Sequence, residues 1–181
     1  NPSFGSGIAG ILWSIYHLNV QNIIETDIFF DEIMPYLENQ MINHSADNNF
    51  DFLHGSCGIA LYLLNFHEKI DNKKMNILIE YLKQNGIIEN NMISWKSSLD
   101  IQNPKKVFNL SLSHGISSII IILCKFLIKY PDNNECRTLL NQSVSFLISK
   151  KHSSSKKMNS IFPSFVDDTN NSDESRMAWC Y

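Results

Sequence analysis

Five side chains combine the types and positions that acid–base or metal-assisted chemistry needs: Asp51, His114, Arg176, Cys180 and Tyr181. Asp51 lies four residues before Gly55, and His114 stands immediately before Gly115; each glycine opens a strongly apolar run. Arg176, Cys180 and Tyr181 sit where the start of a further run is expected. An imidazole titrates near neutrality and suits proton transfer. A thiolate is a soft metal ligand, and a guanidinium stabilises developing negative charge. Helix N-termini add a positive field and unpaired N–H groups, which favour thiolates and enolates. Each residue also has a structural reading. His114 can be satisfied by backbone, Asp51 can be a charge favoured by a helix dipole, and Cys180 can be a small buried hydrophobe. Arg176 can pair with Asp167, Asp168, Asp173 or Glu174. His54 precedes Gly55 as His114 precedes Gly115, so a His-Gly pair alone decides little. Cys57, Cys124, Cys136, His17 and His67 read as packing or solvent-facing groups.

The elements that must position these groups follow one design. Gly7-Ile8-Ala9-Gly10-Ile11 opens a run through Leu18, Gly55-Ser56-Cys57-Gly58-Ile59 a run through Phe66, and Gly115-Ile116-Ser117-Ser118-Ile119 a run through Ile128. Each has a small residue three positions after the first glycine, on the same helical face, where another backbone can approach. Helices that are apolar nearly all round belong inside a larger assembly. Between them lie amphipathic patterns. Asp27 to Asn43 carries Phe30, Ile33, Met34, Leu37 and Met41, with Pro35 placed to bend it. Asp71 to Asn85 carries Met75, Leu78, Ile79 and Leu82, with Gly86 placed to end it. Asp132 to Lys151 carries Leu140, Val144, Leu147 and Ile148. The glycine starts recur at intervals of about 50 to 60 residues, the mark of a helical repeat with variable loops. Two concentric layers of helices satisfy both patterns, and starts ringed about one axis would gather Asp51, His114 and Cys180 at one rim. Met92 to Asp100 and Ile161 to Val166 read as short strands. Lys150 to Asn159 and Asp167 to Ser175 read as polar loops.

Composition narrows the class. The chain has 181 residues, 44% hydrophobic and 18% charged, with 15 basic and 18 acidic side chains and a net charge of −3. That is too apolar for a disordered chain and long enough to bury a sizeable core. The acidic balance argues against nucleic-acid or anionic-membrane binding, which draws on excess Lys and Arg. The longest apolar run, Ile116 to Ile128, is too short for a transmembrane helix and is broken by Ser117, Ser118 and Lys125. Four cysteines without a close pair suggest free thiols in a reducing, cytoplasmic setting.

Taken together, Phe50-Asp51-Phe52-Leu53-His54-Gly55, Leu110-Ser111-Leu112-Ser113-His114-Gly115-Ile116 and Ser175-Arg176-Met177-Ala178-Trp179-Cys180-Tyr181 resemble the lanthionine synthetase C-like cyclases. The last segment is the most specific of the three. The resemblance implies an all-α fold, a partial double-layered α/α toroid of helical hairpins with minor short strands. It also implies that residues 1–181 are a single-domain fragment, the N-terminal half or so of the toroid. The implied activity is zinc-dependent addition of a peptide cysteine thiol to dehydroalanine or dehydrobutyrine, closing thioether rings in a precursor peptide. The implied roles are Cys180 as a zinc ligand and Asp51, His114, Arg176 and Tyr181 as active-site residues around the metal. The family completes its zinc site with a Cys-His pair. No cysteine here is followed by histidine, so the remaining ligands are expected beyond residue 181 and the fragment alone is expected to be inactive. The expected partners are the precursor peptide and a dehydratase, separate or fused. Two other readings stay open: a non-catalytic helical-repeat module that binds a protein partner, and a family member acting on another thiol and electrophile. A two-carboxylate glycosidase is a poor third, because Asp51 is the only carboxylate at a buried helix start.

Overall fold

The computed structural model describes residues 1–25, 30–66, 72–97, 108–152, 160–167 and 172–174. Six α-helices supply most of these residues, with five short strands, so the all-α expectation with minor strands is met. The chain divides into two compact units, Asn1–Tyr81 and Leu82–Tyr181.

The first unit holds α1 (Ile8–Val20), α2 (Phe30–Ala46), α3 (Ser56–Phe66) and most of α4 (Asn72–Asn85). α2 lies along α3, and α1 also packs on α3. The amphipathic stripes point inward as their spacing requires: Met34, Leu37 and Met41 of α2 and Met75, Leu78 and Ile79 of α4 are buried. Cys57, Ile59, Ala60, Tyr62 and Leu63 of α3 are completely buried, so this helix matches the all-round apolar reading. Each such aliphatic side chain is worth roughly 1.5–3 kcal/mol on removal from water. α1 departs from that reading. Only Ala9 and Leu12 are buried, and Ile11 is 59% exposed although the corresponding Ile59 and Ile119 are 0% and 3% exposed. Hydropathy alone could not separate them, because an apolar run states what a helix can bury, not what covers it. α2 runs through Pro35.

In the second unit α5 (Ile116–Lys129) packs on α6 (Asn134–Ser149), and α6 packs on β2. Asn133 caps α6 by accepting the Cys136 N–H at 2.8 Å. The buried stripe of α6 is Cys136, Leu139, Ser143 and Phe146, not the Leu140, Val144, Leu147 and Ile148 stripe; Ile148 is 61% exposed. Two apolar stripes compete on this helix. The one carrying small residues wins because it lets α5 come close, with Cys136 Sγ 3.5 Å from the Leu123 carbonyl. β1 (Ile87–Glu89) and β2 (Met92–Ser94) form a hairpin in the register Glu89↔Met92. Asn90 and Asn91, with φ of 50° and 61°, make its two-residue turn, in the left-handed geometry that matches strand twist. Trp95 follows, its Nε1 donating to the Leu82 carbonyl at 2.7 Å. A second sheet, in the order β3-β4-β5, joins β3 (Phe108–Asn109), β4 (Pro163–Val166) and β5 (Ser172–Glu174), all antiparallel. β1, β3 and β5 are additions to the sequence reading, and β5 falls inside a stretch read as a polar loop.

Candidate functional site

The two expected site residues that the structure describes, Asp51 and His114, occupy related places. Each lies in a seven-residue loop that leads into one of the glycine-started apolar helices (the inner-type helices of the two-layer reading), and a third such loop leads into α1. The loops are Asn1-Pro2-Ser3-Phe4-Gly5-Ser6-Gly7, Asn49-Phe50-Asp51-Phe52-Leu53-His54-Gly55 and Asn109-Leu110-Ser111-Leu112-Ser113-His114-Gly115. In each, the asparagine Oδ1 accepts the N–H two residues on: Ser3 at 3.1 Å, Asp51 at 3.3 Å and Ser111 at 2.8 Å. The side chain at that third position then accepts the N–H of the residue before the final glycine. Ser6 donates to Ser3 Oγ at 3.4 Å, His54 to Asp51 Oδ1 at 2.7 Å and His114 to Ser111 Oγ at 3.3 Å. The asparagine carbonyl receives the first helical N–H in two of them, from Ile8 at 3.0 Å and Ser56 at 2.9 Å.

The final glycine is required by space, not by its dihedral angles. Gly7 and Gly115 have φ of −137° and −138°, ordinary extended backbone. A Cβ there would sit 2.4 Å from the Asn1 carbonyl oxygen and 2.1 Å from that of Asn109, and one at Gly55 would sit 2.4 Å from that of Asn49. No heavy-atom contact of that length is tolerable, so the loop closes this tightly only on glycine.

This geometry gives Asp51 a definite structural task. It fills the slot that Ser3 and Ser111 fill elsewhere, is 5% exposed, and makes the shortest of the three bonds to the residue before the glycine. Its charge also acts on Cys57 nearby. Burial pushes the Cys57 thiol well above the ordinary range and the Asp51 carboxylate pushes it further, while a hydrogen bond with Ser56 opposes them. His114 is half-buried and held on both sides of its main chain: its N–H bonds to Ser111, and its carbonyl accepts a long 3.5 Å bond from Ser97 Oγ. His54, its counterpart at α3, is exposed. Within the first unit the starts of α1 and α3 lie side by side, with the Gly5 N–H donating to the Leu53 carbonyl at 2.8 Å and the Phe4 and Phe52 rings 5.1 Å apart.

Asp51 belongs to the first unit and His114 to the second. Arg176, Cys180 and Tyr181 lie outside the described residues, as does His67. Among the described residues no three His, Cys, Asp or Glu side chains gather into a metal-binding group. Of the described cysteines, Cys57 and Cys136 are buried and Cys124 is exposed. Desolvation pushes Cys136 up to about 12, so both buried thiols stay protonated and are poor nucleophiles or ligands. Sequence reasoning missed Asn1, Asn49 and Asn109. Their signal was present: an asparagine stands six residues before the glycine of every inner-type helix start.

The family model of lanthionine synthetase C-like proteins matches residues 1–181, the whole chain. The chain belongs to that family. Searches of curated proteins and of solved structures give no match. No helix among the described residues is long and apolar enough to cross a membrane. Asp51 and His114 thus stand in the loops that precede two apolar helices of a lanthionine synthetase C-like chain.

Proposed function

We propose that the protein containing this chain is a peptide cyclase that adds a cysteine thiol of a precursor peptide across the double bond of a dehydroalanine or dehydrobutyrine. The family match over all 181 residues carries this reading, and the tethering of half-buried His114 at the start of α5 supports it. Cys180 would serve as one zinc ligand, with the others supplied by residues outside those described. Zinc, when bound, would lower the pKa of the peptide thiol, which is otherwise mostly protonated near neutrality and would release its proton to solvent. As the sulfur bonds to the β-carbon, the electron pair of the double bond moves to the α-carbon and its carbonyl, giving an enolate. His114, in its protonated form, returns a proton to the α-carbon. Arg176 stabilises the negative charge, and Tyr181, beside the proposed ligand, donates a hydrogen bond. Asp51 maintains the helix start at α3 and adds negative charge there. The peptide would reach the enzyme already dehydrated, which calls for a dehydratase as partner or fused domain, and a reducing, cytoplasmic setting suits its free thiols.

Incubating the full-length protein with a dehydrated, thiol-bearing peptide tests this. Ring closure leaves the mass unchanged and removes free thiols, so alkylation followed by mass spectrometry counts the rings. We expect thiols to disappear with the unaltered protein and to persist with His114→Ala, which should keep its zinc, and with Cys180→Ala, which should lose it. Full ring closure by His114→Ala at an unchanged rate would remove the acid role.

A further inference from the structure

We infer that Ser111 and Asn109 are positioning residues for His114, acting through its main chain; the inference rests on the cyclase reading above. Three observations carry it. First, the hydrogen-bond relay Asn109 Oδ1 to Ser111 N–H and Ser111 Oγ to His114 N–H ends on the histidine itself, at 2.8 and 3.3 Å. Second, the loop has no slack. A Cβ at Gly115 would lie 2.1 Å from the Asn109 carbonyl oxygen, so the two ends of the loop are packed within the room that only a glycine leaves. Third, the same relay recurs at α1, from Asn1 through Ser3 to Ser6, where no histidine is presented. The device is therefore general to these helix starts, and at α5 its output is the placement of an imidazole. Such placement matters to a proton donor because a displacement of about 1 Å at a reacting group can cost around a hundredfold in rate.

The repeat supplies its own control. Ser111→Ala and Ser3→Ala remove the same bond from two copies of one loop, so a purely structural role predicts equal effects. In the full-length cyclase acting on a dehydrated peptide, Ser111→Ala is expected to lower kcat by about ten- to a hundredfold, with KM changed less than about twofold. Ser111→Thr, which keeps the hydroxyl, should restore most of the rate. Ser3→Ala should shift Tm to a similar extent and leave kcat alone. If Ser111→Ala does not fold, the near-isosteric Ser111→Cys, whose sulfur is a weak acceptor, should show the same loss in kcat. Amide hydrogen exchange reports the bond directly: the His114 N–H should exchange faster in Ser111→Ala, and the Ser6 N–H faster in Ser3→Ala. An unaltered kcat in a folded Ser111 variant, or an equal loss of kcat in Ser3→Ala, overturns the inference. An unaltered protein that closes no ring overturns the cyclase reading instead.

Discussion

Gly115→Ala strikes the helix start on which the α5 site depends, and its cost follows from the structure. The new Cβ would lie 2.1 Å from the Asn109 carbonyl oxygen and 2.5 Å from its carbonyl carbon. An ordinary contact needs more than 3 Å, so the loop must open by about 1 Å, a strain of the size that overpacking a tight site produces, typically 1–3 kcal/mol. That movement stretches the 2.8 Å bond from Ser111 N–H to Asn109 Oδ1 and the 3.3 Å bond from His114 N–H to Ser111 Oγ. Two hydrogen bonds at about 1 kcal/mol each, partly lost, bring the sum to about 2–4 kcal/mol. For a chain of this size each kcal/mol lowers Tm by about 2–4 °C, so calorimetry or circular dichroism should show a fall between about 5 and 15 °C. Gly115→Ser should behave alike, because the Cβ does the damage. Adding Asn109→Ala removes the side-chain Oδ1, 2.8 Å from the new Cβ, but leaves the closer main-chain collision, so it should bring little relief. A Tm within about 1 °C of the unaltered protein, or recovery in the double variant, would refute the tight-loop argument.

Other outcomes follow from the buried thiols, the ion pairs and the proposed zinc ligand. Cys57 and Cys136 both titrate far above their unfolded value of 9.0, Cys136 at about 12. Above pH 9 the unfolded chain therefore holds fewer protons than the folded one, and stability falls with rising pH by about 1.4 kcal/mol per unit for each thiol. Urea melts between pH 8 and 11 should show that decline, and Cys136→Ala should remove one thiol's share of the slope. Brief alkylation at pH 8 should mark exposed Cys124 and spare the two buried thiols until the chain unfolds. The Lys74–Glu38 pair, 2.6 Å with a carboxylate side chain 8% exposed, should be worth about 1–2 kcal/mol, so Glu38→Ala should lower the urea midpoint clearly. The Lys83–Glu135 pair is 59% and 40% exposed, and Glu135→Ala should cost under about 0.5 kcal/mol. Residues 1–181 alone, with Cys180 as their proposed zinc ligand, should hold zinc weakly, because affinity needs the full ligand set. Tightly bound, stoichiometric zinc in that segment would contradict this assignment.

The helices were legible because their patterns are redundant. Met34, Leu37 and Met41, and Met75, Leu78, Ile79 and Leu82, each repeat a 3-4 spacing that no strand could bury. α6 was legible as a helix but not in its orientation. Apolar residues lie on two of its faces, and the choice was made by Cys136 and Ser143, small side chains that hydropathy scores poorly but that admit a neighbouring helix. The strands were hardest to see. Phe108–Asn109 and Ser172–Glu174 are too short to carry a period, and β3 finds its partner β4 only far along the chain. Asn90-Asn91, with its left-handed backbone, was the one local sign of the first hairpin. At the site, the histidines and glycines drew attention because of their chemistry. The asparagine relay did not, although Asn1, Asn49 and Asn109 are placed more regularly than either histidine. Its consequence for Asp51 is specific: a carboxylate that the family resemblance puts at the active site stands in the slot that Ser3 and Ser111 fill in the other two loops.

The proposed reaction centre is tested most directly by an experimental structure of the full-length protein with data collected across the zinc absorption edge. One anomalous peak is expected at a zinc–thiolate distance of about 2.3 Å from Cys180 Sγ, with the His114 imidazole facing the same cavity. A peak away from Cys180, or a His114 ring at the far end of the helices from it, would rule out a common centre for the two residues.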